Sequence, residues 1–115
     1  MLPFAQIWAV DFEFQAKPGE LVQPWCLVAR ELKTGREIRQ WYSDFGTAPP
    51  YDIGEDSLVV CYSAIAEMSC HLVLGWPMPK RILDLYVEFR RYKNGLVPGV
   101  GSKLIQALED RKSVV

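Results

Sequence analysis

The chain has 115 residues, of which 50% are hydrophobic and 23% are charged, so it is long enough for one domain with a core and too apolar for a disordered protein. Its formal net charge is −1, which excludes nucleic-acid binding through a general positive field, so any such contact needs a local basic patch or a bound cation. Three widely spaced cysteines and one histidine exclude a disulfide framework, argue against structural zinc and fit a reducing cytoplasm.

The N-terminal segment MLPFAQIWAV is apolar, but it carries no basic region and reaches Asp11 too early for a signal peptide. No other stretch is long and apolar enough to span a membrane. We therefore expect a cytoplasmic protein without a membrane partner.

Residues 7–16, IWAVDFEFQA, predict a central strand, because both of its faces begin apolar. Alternation places Asp11 and Glu13 on one face and Phe12 on the other. Two ionised carboxylates about 7 Å apart repel by about 2 kcal/mol at an effective dielectric near 20. Solvent, a basic neighbour, a raised pKa or a metal ion must offset this repulsion. A bare Asp-x-Glu is explained most simply by a strand end that reaches water.

Residues 17–42 predict two further strands, which complete an antiparallel three-strand meander. Pro18 and Gly19 mark its first turn, and KTGR marks the second. Two faces alternate along the third strand: one carries Glu37, Arg39 and Trp41, and the other carries Ile38, Gln40 and Tyr42.

A long polar loop at residues 44–57, rich in Pro and Gly, separates the meander from an α/β half. The run LVVCY predicts a buried parallel strand, and a helix follows with Ile65, Met68 and Leu72 at helical spacing. Gly75 and Pro77 occupy the usual stop positions of that helix.

The run RIL predicts another short strand, and Asp84 occupies an N-cap position before the helical run LYVEFRRYKNG. Ser102 can cap a last helix, KLIQALEDRK. The order of these elements predicts an α/β fold with a mixed sheet, which fits a ribonuclease H-like core with flanking helices.

Two stretches, VDFEF and LVVCYSAIAEMSCHLVLGWPMPKRILDLYVEFRRYKNGL, resemble the exonuclease part of phage-type family A DNA polymerases. Those proteins belong to the DEDD superfamily of 3′→5′ exonucleases, which have a ribonuclease H-like fold. The resemblance runs from about residue 5 to residue 108, and its specific part is the second stretch.

The resemblance implies a site formed by Asp11 and Glu13 in the first exonuclease motif and by Glu67, one turn into a helix, in the second. Two Mg²⁺ or Mn²⁺ ions about 3.5–4 Å apart can activate a water and stabilise the leaving 3′ oxygen when carboxylates converge on them. By resemblance, Asp11 would bridge both ions, Glu13 would hold the ion nearest the attacking water, and Glu67 would hold the other through water.

Each further candidate also has a structural explanation. By pattern alone, Glu67 is a solvated helix residue paired with His71 at i+4. Asp84 is explained by a helix N-cap worth about 1 kcal/mol. An acid recurs at this place in the resembling proteins, so a role in positioning the metal ligands, without binding the metal itself, stays open. His71 is expected to pack, or to pair with Glu67, rather than to act as a base.

The remaining basic and aromatic residues are expected to be structural. The cations at a helix end suit the helix dipole but could also meet phosphates; they are Arg90, Arg91 and Lys93. The tyrosines and three tryptophans are expected in the core rather than as platforms for base stacking; the tryptophans are Trp25, Trp41 and Trp76.

The resembling superfamily carries a last acidic motif, a Tyr or His followed by Asp, well downstream of the point where this chain ends. Glu109 and Asp110 have no such Tyr or His before them. We therefore expect residues 1–115 to be a C-terminally truncated exonuclease-like domain with weak metal binding and reduced activity on single-stranded DNA 3′ ends.

Two alternatives stay open. The chain could be a non-catalytic binding or inhibitor protein that uses the exonuclease fold to dock on a nucleoprotein complex, or a polymerase gene remnant without an independent role. We also expect the C-terminal face, with Leu104, Ile105 and Leu108, to bind a protein partner or a second copy of the chain.

Overall fold

The computed structural model describes residues 3–94, which form a five-stranded mixed sheet and two helices. The strands are β1 (Gln6–Gln15), β2 (Gln23–Glu31), β3 (Glu37–Trp41), β4 (Ser57–Cys61) and β5 (Ile82–Asp84). The helices are α1 (Ala64–Leu74) and α2 (Leu85–Asn94), and a 3₁₀ turn covers Tyr42–Asp44.

The sheet order is β3-β2-β1-β4-β5, so the first strand is central, as predicted. β1 pairs antiparallel with β2, which pairs antiparallel with β3. On its other side β1 pairs parallel with β4, and β4 pairs parallel with β5. The predicted meander, the predicted parallel strand β4 and the predicted short strand β5 are therefore confirmed, and the class is mixed α/β.

The core lies on the sheet face that carries Trp8, Val10 and Phe12 of β1. Helix α1 packs on this face with Cys70. The loop at residues 44–57, which its composition predicts to be a polar connection, also supplies the buried Tyr51. Burial of the large aromatic side chains of Trp8, Phe12 and Tyr51 explains how so small a chain obtains a stable core.

The apolar spacing that predicts α1 does not mark its buried face. Ile65 and Leu72 are exposed, and the buried residues of the helix are Glu67, Cys70 and His71. The predicted helix is confirmed, and the polar side chains of Glu67 and His71 find hydrogen-bond partners inside the protein. These hydrogen bonds offset part of the cost of burying the two polar groups, and their partners lie far away in the sequence.

A buried carboxylate holds the β2–β3 turn. Glu31 accepts hydrogen bonds from the backbone N–H of Ile7 at 2.7 Å, of Thr34 at 2.8 Å and of Lys33 at 3.1 Å. These amides, led by that of Ile7, hold the pKa of Glu31 at about 2, well below its usual range. Gly35 completes the turn at φ 78°, a left-handed conformation that favours glycine.

Several predictions fall outside the described residues. They are the last helix with Ser102, the C-terminal face with Leu104, Ile105 and Leu108, and the acids Glu109 and Asp110. Over residues 3–94, no helix combines the length and apolarity that crossing a membrane requires.

Candidate functional site

The acidic pair lies on β1, on the face opposite the buried Phe12, as the strand alternation predicts. Both Asp11 and Glu13 are exposed, and neither takes part in an ion pair with another residue of the described range 3–94. Partial desolvation, with the negative charge of Glu13 as a second cause, raises the pKa of Asp11. The repulsion expected from the sequence is therefore present on this strand.

Glu67 joins this pair through the backbone. β4 pairs with β1 only as far as Ala9, so the edge of β1 beyond that point is free of β4 and is approached by α1. There Glu67 Oε2 accepts a hydrogen bond of 2.9 Å from the N–H of Phe12, the residue between Asp11 and Glu13. This contact ties the second predicted motif to the first across 55 positions of sequence.

The electrostatics of Glu67 reflect that location. Burial raises its pKa to about 8, and the charges of Asp11 and Glu13 add to the increase, whereas the hydrogen bond from Phe12 opposes it. Without a cation, Glu67 is therefore largely protonated at neutral pH. A cation bound beside the three acids would favour the charged form.

The donor set fits Mg²⁺ or Mn²⁺ chemically, because carboxylate oxygens are the ligands that these hard cations prefer. Among residues 3–94, however, no three His, Cys, Asp or Glu side chains are grouped closely enough to hold a metal ion. The convergence of Asp11, Glu13 and Glu67 on a shared cation therefore stays a prediction.

Asp84 caps two helices at once. Its Oδ1 accepts a hydrogen bond of 2.9 Å from the N–H of Val87 in the first turn of α2, which confirms the predicted cap. Its Oδ2 accepts one of 2.8 Å from the N–H of Ala64, the first residue of α1. Because Ala64 lies one turn before Glu67, Asp84 helps to place that acid and has both oxygens engaged with the backbone.

His71 is a core residue, and it forms no ion pair with Glu67 within the described part of the chain. Its Nδ1 lies 3.0 Å from the carbonyl of Pro77, which can only accept, so Nδ1 carries the proton. Nε2 then accepts from the Tyr51 hydroxyl at 2.5 Å. Burial lowers the pKa of His71, so the predicted packing is confirmed and the predicted alternative, a pair with Glu67, is wrong.

Helix α2, which carries the cations, directly follows β5, at the opposite sheet edge from β3. Arg91 pairs with Glu88 at 3.3 Å, and Arg90 lies 5.7 Å from the ring centroid of Tyr86. The side chain of Lys93 falls outside the described residues. These contacts agree with a solvated helix end.

The prediction that the tryptophans and tyrosines belong to the core is correct for Trp76 and Tyr51. It is wrong for Trp25 and Trp41 and for the exposed tyrosines, which are Tyr42, Tyr62, Tyr86 and Tyr92. Trp76 is buried, whereas Trp25 is 50% exposed, Trp41 is 62% exposed and Tyr42 is 69% exposed. These three rings, with Gln23 and Pro24, line a cavity of about 350 Å³. The sequence contains a signal for the exposure of Trp41, because Trp41 shares one face of β3 with the charged Glu37 and Arg39.

In comparisons with protein-family models, curated proteins and solved structures, nothing matches this chain. The resemblance to exonuclease domains therefore rests on the two stretches of sequence quoted above.

Proposed function

We propose that this chain contains the core of a DEDD-type 3′→5′ exonuclease domain of DNA polymerase I ancestry, which hydrolyses phosphodiester bonds at single-stranded DNA 3′ ends with a divalent metal. The observation that carries the proposal is the hydrogen bond from Phe12 to Glu67, because it brings the acid of the second motif to the strand segment that bears Asp11 and Glu13. The strand order, a meander followed by two parallel strands, is compatible with the ribonuclease H-like fold that the resemblance implies.

Asp11 and Glu13 present two exposed carboxylates as ligands, and Glu67 supplies a third carboxyl from α1. When bound, Mg²⁺ or Mn²⁺ would activate a water and stabilise the charge on the leaving oxygen. Asp84 fixes the start of α1, and the Phe12 amide orients the Glu67 carboxyl. Repulsion among the acids favours cation binding, while the lack of a ready three-acid cluster in residues 3–94 favours weak affinity and low activity.

The test is calorimetry with Mn²⁺, run beside release of labelled nucleotides from a single-stranded oligonucleotide. Asp11→Asn preserves the shape of the side chain and removes its charge, and Asp56→Asn, at an exposed loop position, is the matched control. We expect metal-dependent hydrolysis from the 3′ end that Asp11→Asn abolishes and Asp56→Asn leaves unchanged. A flat Mn²⁺ titration without hydrolysis would refute the catalytic proposal.

A second candidate function is a non-catalytic binding or inhibitor protein that docks on a nucleoprotein complex. The observation in its favour is the cavity of Trp25, Trp41 and Tyr42, because exposed aromatic rings are recognition groups and carboxylate chemistry does not need them. Binding of single-stranded DNA that persists in EDTA and in Asp11→Asn, without hydrolysis, is the result that this function requires.

A further inference from the structure

A β-bulge shapes the cavity lined by Gln23, Pro24, Trp25, Trp41 and Tyr42, here called the aromatic cavity. Glu13 of β1 lies opposite Cys26, whereas the next residue, Phe14, lies opposite Pro24. Trp25 is thus the extra residue of β2, without a partner on β1. Bulges redirect side chains, and this one brings Trp25 to the cavity that Trp41 of β3 also lines.

The strand register connects the aromatic cavity with the acids. Glu13 pairs with Cys26 and Cys26 with Trp41, so the side chains of this row share a sheet face. In the neighbouring row, Asp11 pairs with Val28 and Val28 with Arg39. Two strand spacings of about 4.8 Å therefore separate each acid from its counterpart on β3.

A second hollow continues this path. It has a volume of about 200 Å³ and shares Trp41 with the aromatic cavity. Its lining includes Arg39, two residues from Trp41 on β3, and Cys26 and Val28 of β2, which lie between β3 and the acids of β1. The Arg39 side chain is 73% exposed, and its ion pair with Glu37 is an exposed one of the weak kind. Arg39 can therefore turn to a phosphate beside the ring of Trp41.

The size and chemistry of the aromatic cavity select its ligand. About 350 Å³ lies at the lower end of the roughly 300–1,000 Å³ typical of small-molecule sites, which is enough room for one planar group. Within residues 3–94, Trp25, Trp41 and Tyr42 form no aromatic pairs, so their ring faces are available for stacking. Gln23 adds an amide that can hydrogen-bond a base edge.

We infer that the aromatic cavity binds one base of a single-stranded DNA by stacking on Trp25 and Trp41, with the adjacent phosphate at Arg39 and the strand directed across the sheet face to Asp11 and Glu13. The direction of the strand toward the acids rests on the proposed function, whereas the stacking itself does not. Stacking on aromatic side chains tolerates any base, because every base has a flat π face.

The experiment measures anisotropy of fluorescein-labelled (dT)12 with the full chain in EDTA at low salt. Trp25→Leu and Trp41→Leu should each weaken binding by about 10-fold or more, and Trp41→Phe should restore most of it, because a ring that can stack returns. Tyr92→Leu is the matched control, since Tyr92 is also 62% exposed but lies on α2. Asp56→Asn, at an exposed loop position, should leave binding in EDTA unchanged.

The inference is overturned if the wild-type chain does not bind (dT)12, or if both Trp→Leu variants bind it as the wild type does. It is also overturned if DNA binding is absent and light scattering shows a dimer that Trp41→Leu dissociates. Hydrolysis of single-stranded DNA that Trp41→Leu leaves unchanged would overturn the inferred path from the aromatic cavity to the acids and leave the proposed function standing. Tryptophan-dependent binding without hydrolysis would support the subsite and refute the exonuclease activity.

Discussion

Replacing Glu67 by glutamine should stabilise the protein at alkaline pH and leave its stability unchanged at acidic pH. The pKa of Glu67 is about 8 in the fold against an ordinary 4.5, so the folded state holds this proton more tightly than the unfolded chain does. Wild-type stability should therefore fall as pH rises from 4.5 to 8. Glutamine carries no charge and avoids this cost, while its carbonyl can still accept the Phe12 hydrogen bond.

The size of the effect follows from the same shift. The difference between the pKa of about 8 in the fold and the ordinary pKa of 4.5 corresponds to a loss of at most about 5 kcal/mol in the free energy of unfolding. Relaxation of the fold and water penetration reduce the desolvation that dominates this shift, and salt screens the smaller part that comes from Asp11 and Glu13. We therefore expect Glu67→Gln to gain on the order of 2–3 kcal/mol at pH 9. At pH 4.5 the two proteins should unfold at the same urea concentration within error.

The assay is urea unfolding at pH 4.5 and pH 9 in EDTA, followed by the fluorescence of the buried Trp8 and Trp76. Glu55→Gln, at an exposed loop position, is the control and should change nothing at either pH. A Glu67→Gln protein no more stable than wild type at pH 9 would refute the electrostatic reasoning. A gain of equal size at both pH values would do the same, since it would not depend on charge.

Three further predictions concern the supports of the fold. Asp84→Ala should lower the free energy of unfolding by about 2 kcal/mol in urea titration, because two helix N-termini lose an acceptor, and a loss no larger than that of Asp56→Ala would contradict the double cap. Glu31→Gln should lower the melting temperature above pH 5. The difference from wild type should shrink as pH falls from 4.5 toward 2, because protonation removes the charge from Glu31 itself. A difference in melting temperature that persists at pH 2 would contradict this. Tyr51→Phe should cost about 1–3 kcal/mol in thermal unfolding, because it leaves Nε2 of buried His71 without a donor, and a neutral result would exclude that hydrogen bond.

The amino-acid sequence by itself determined the order of the elements and the place of each acid on its own element. A long run apolar on both faces predicted the central β1, and alternation along that strand placed Asp11 and Glu13 together. An Asp before a helical run predicted the cap on α2. These features depend on period and on neighbours within a few residues, so local patterns are enough to reveal them.

The tertiary structure decided which faces are buried and which distant groups meet. Periodicity identified α1 but not its buried side, because Glu67 and His71 could be buried only once Phe12, Tyr51 and Pro77 supplied partners from elsewhere in the chain. Hydrophobicity placed Trp25 and Trp41 in the core, but β3 is an edge strand, and the bulge brings Trp25 to the same exposed cavity. Burial depends on what packs against a residue, and in this domain those partners come from distant parts of the chain.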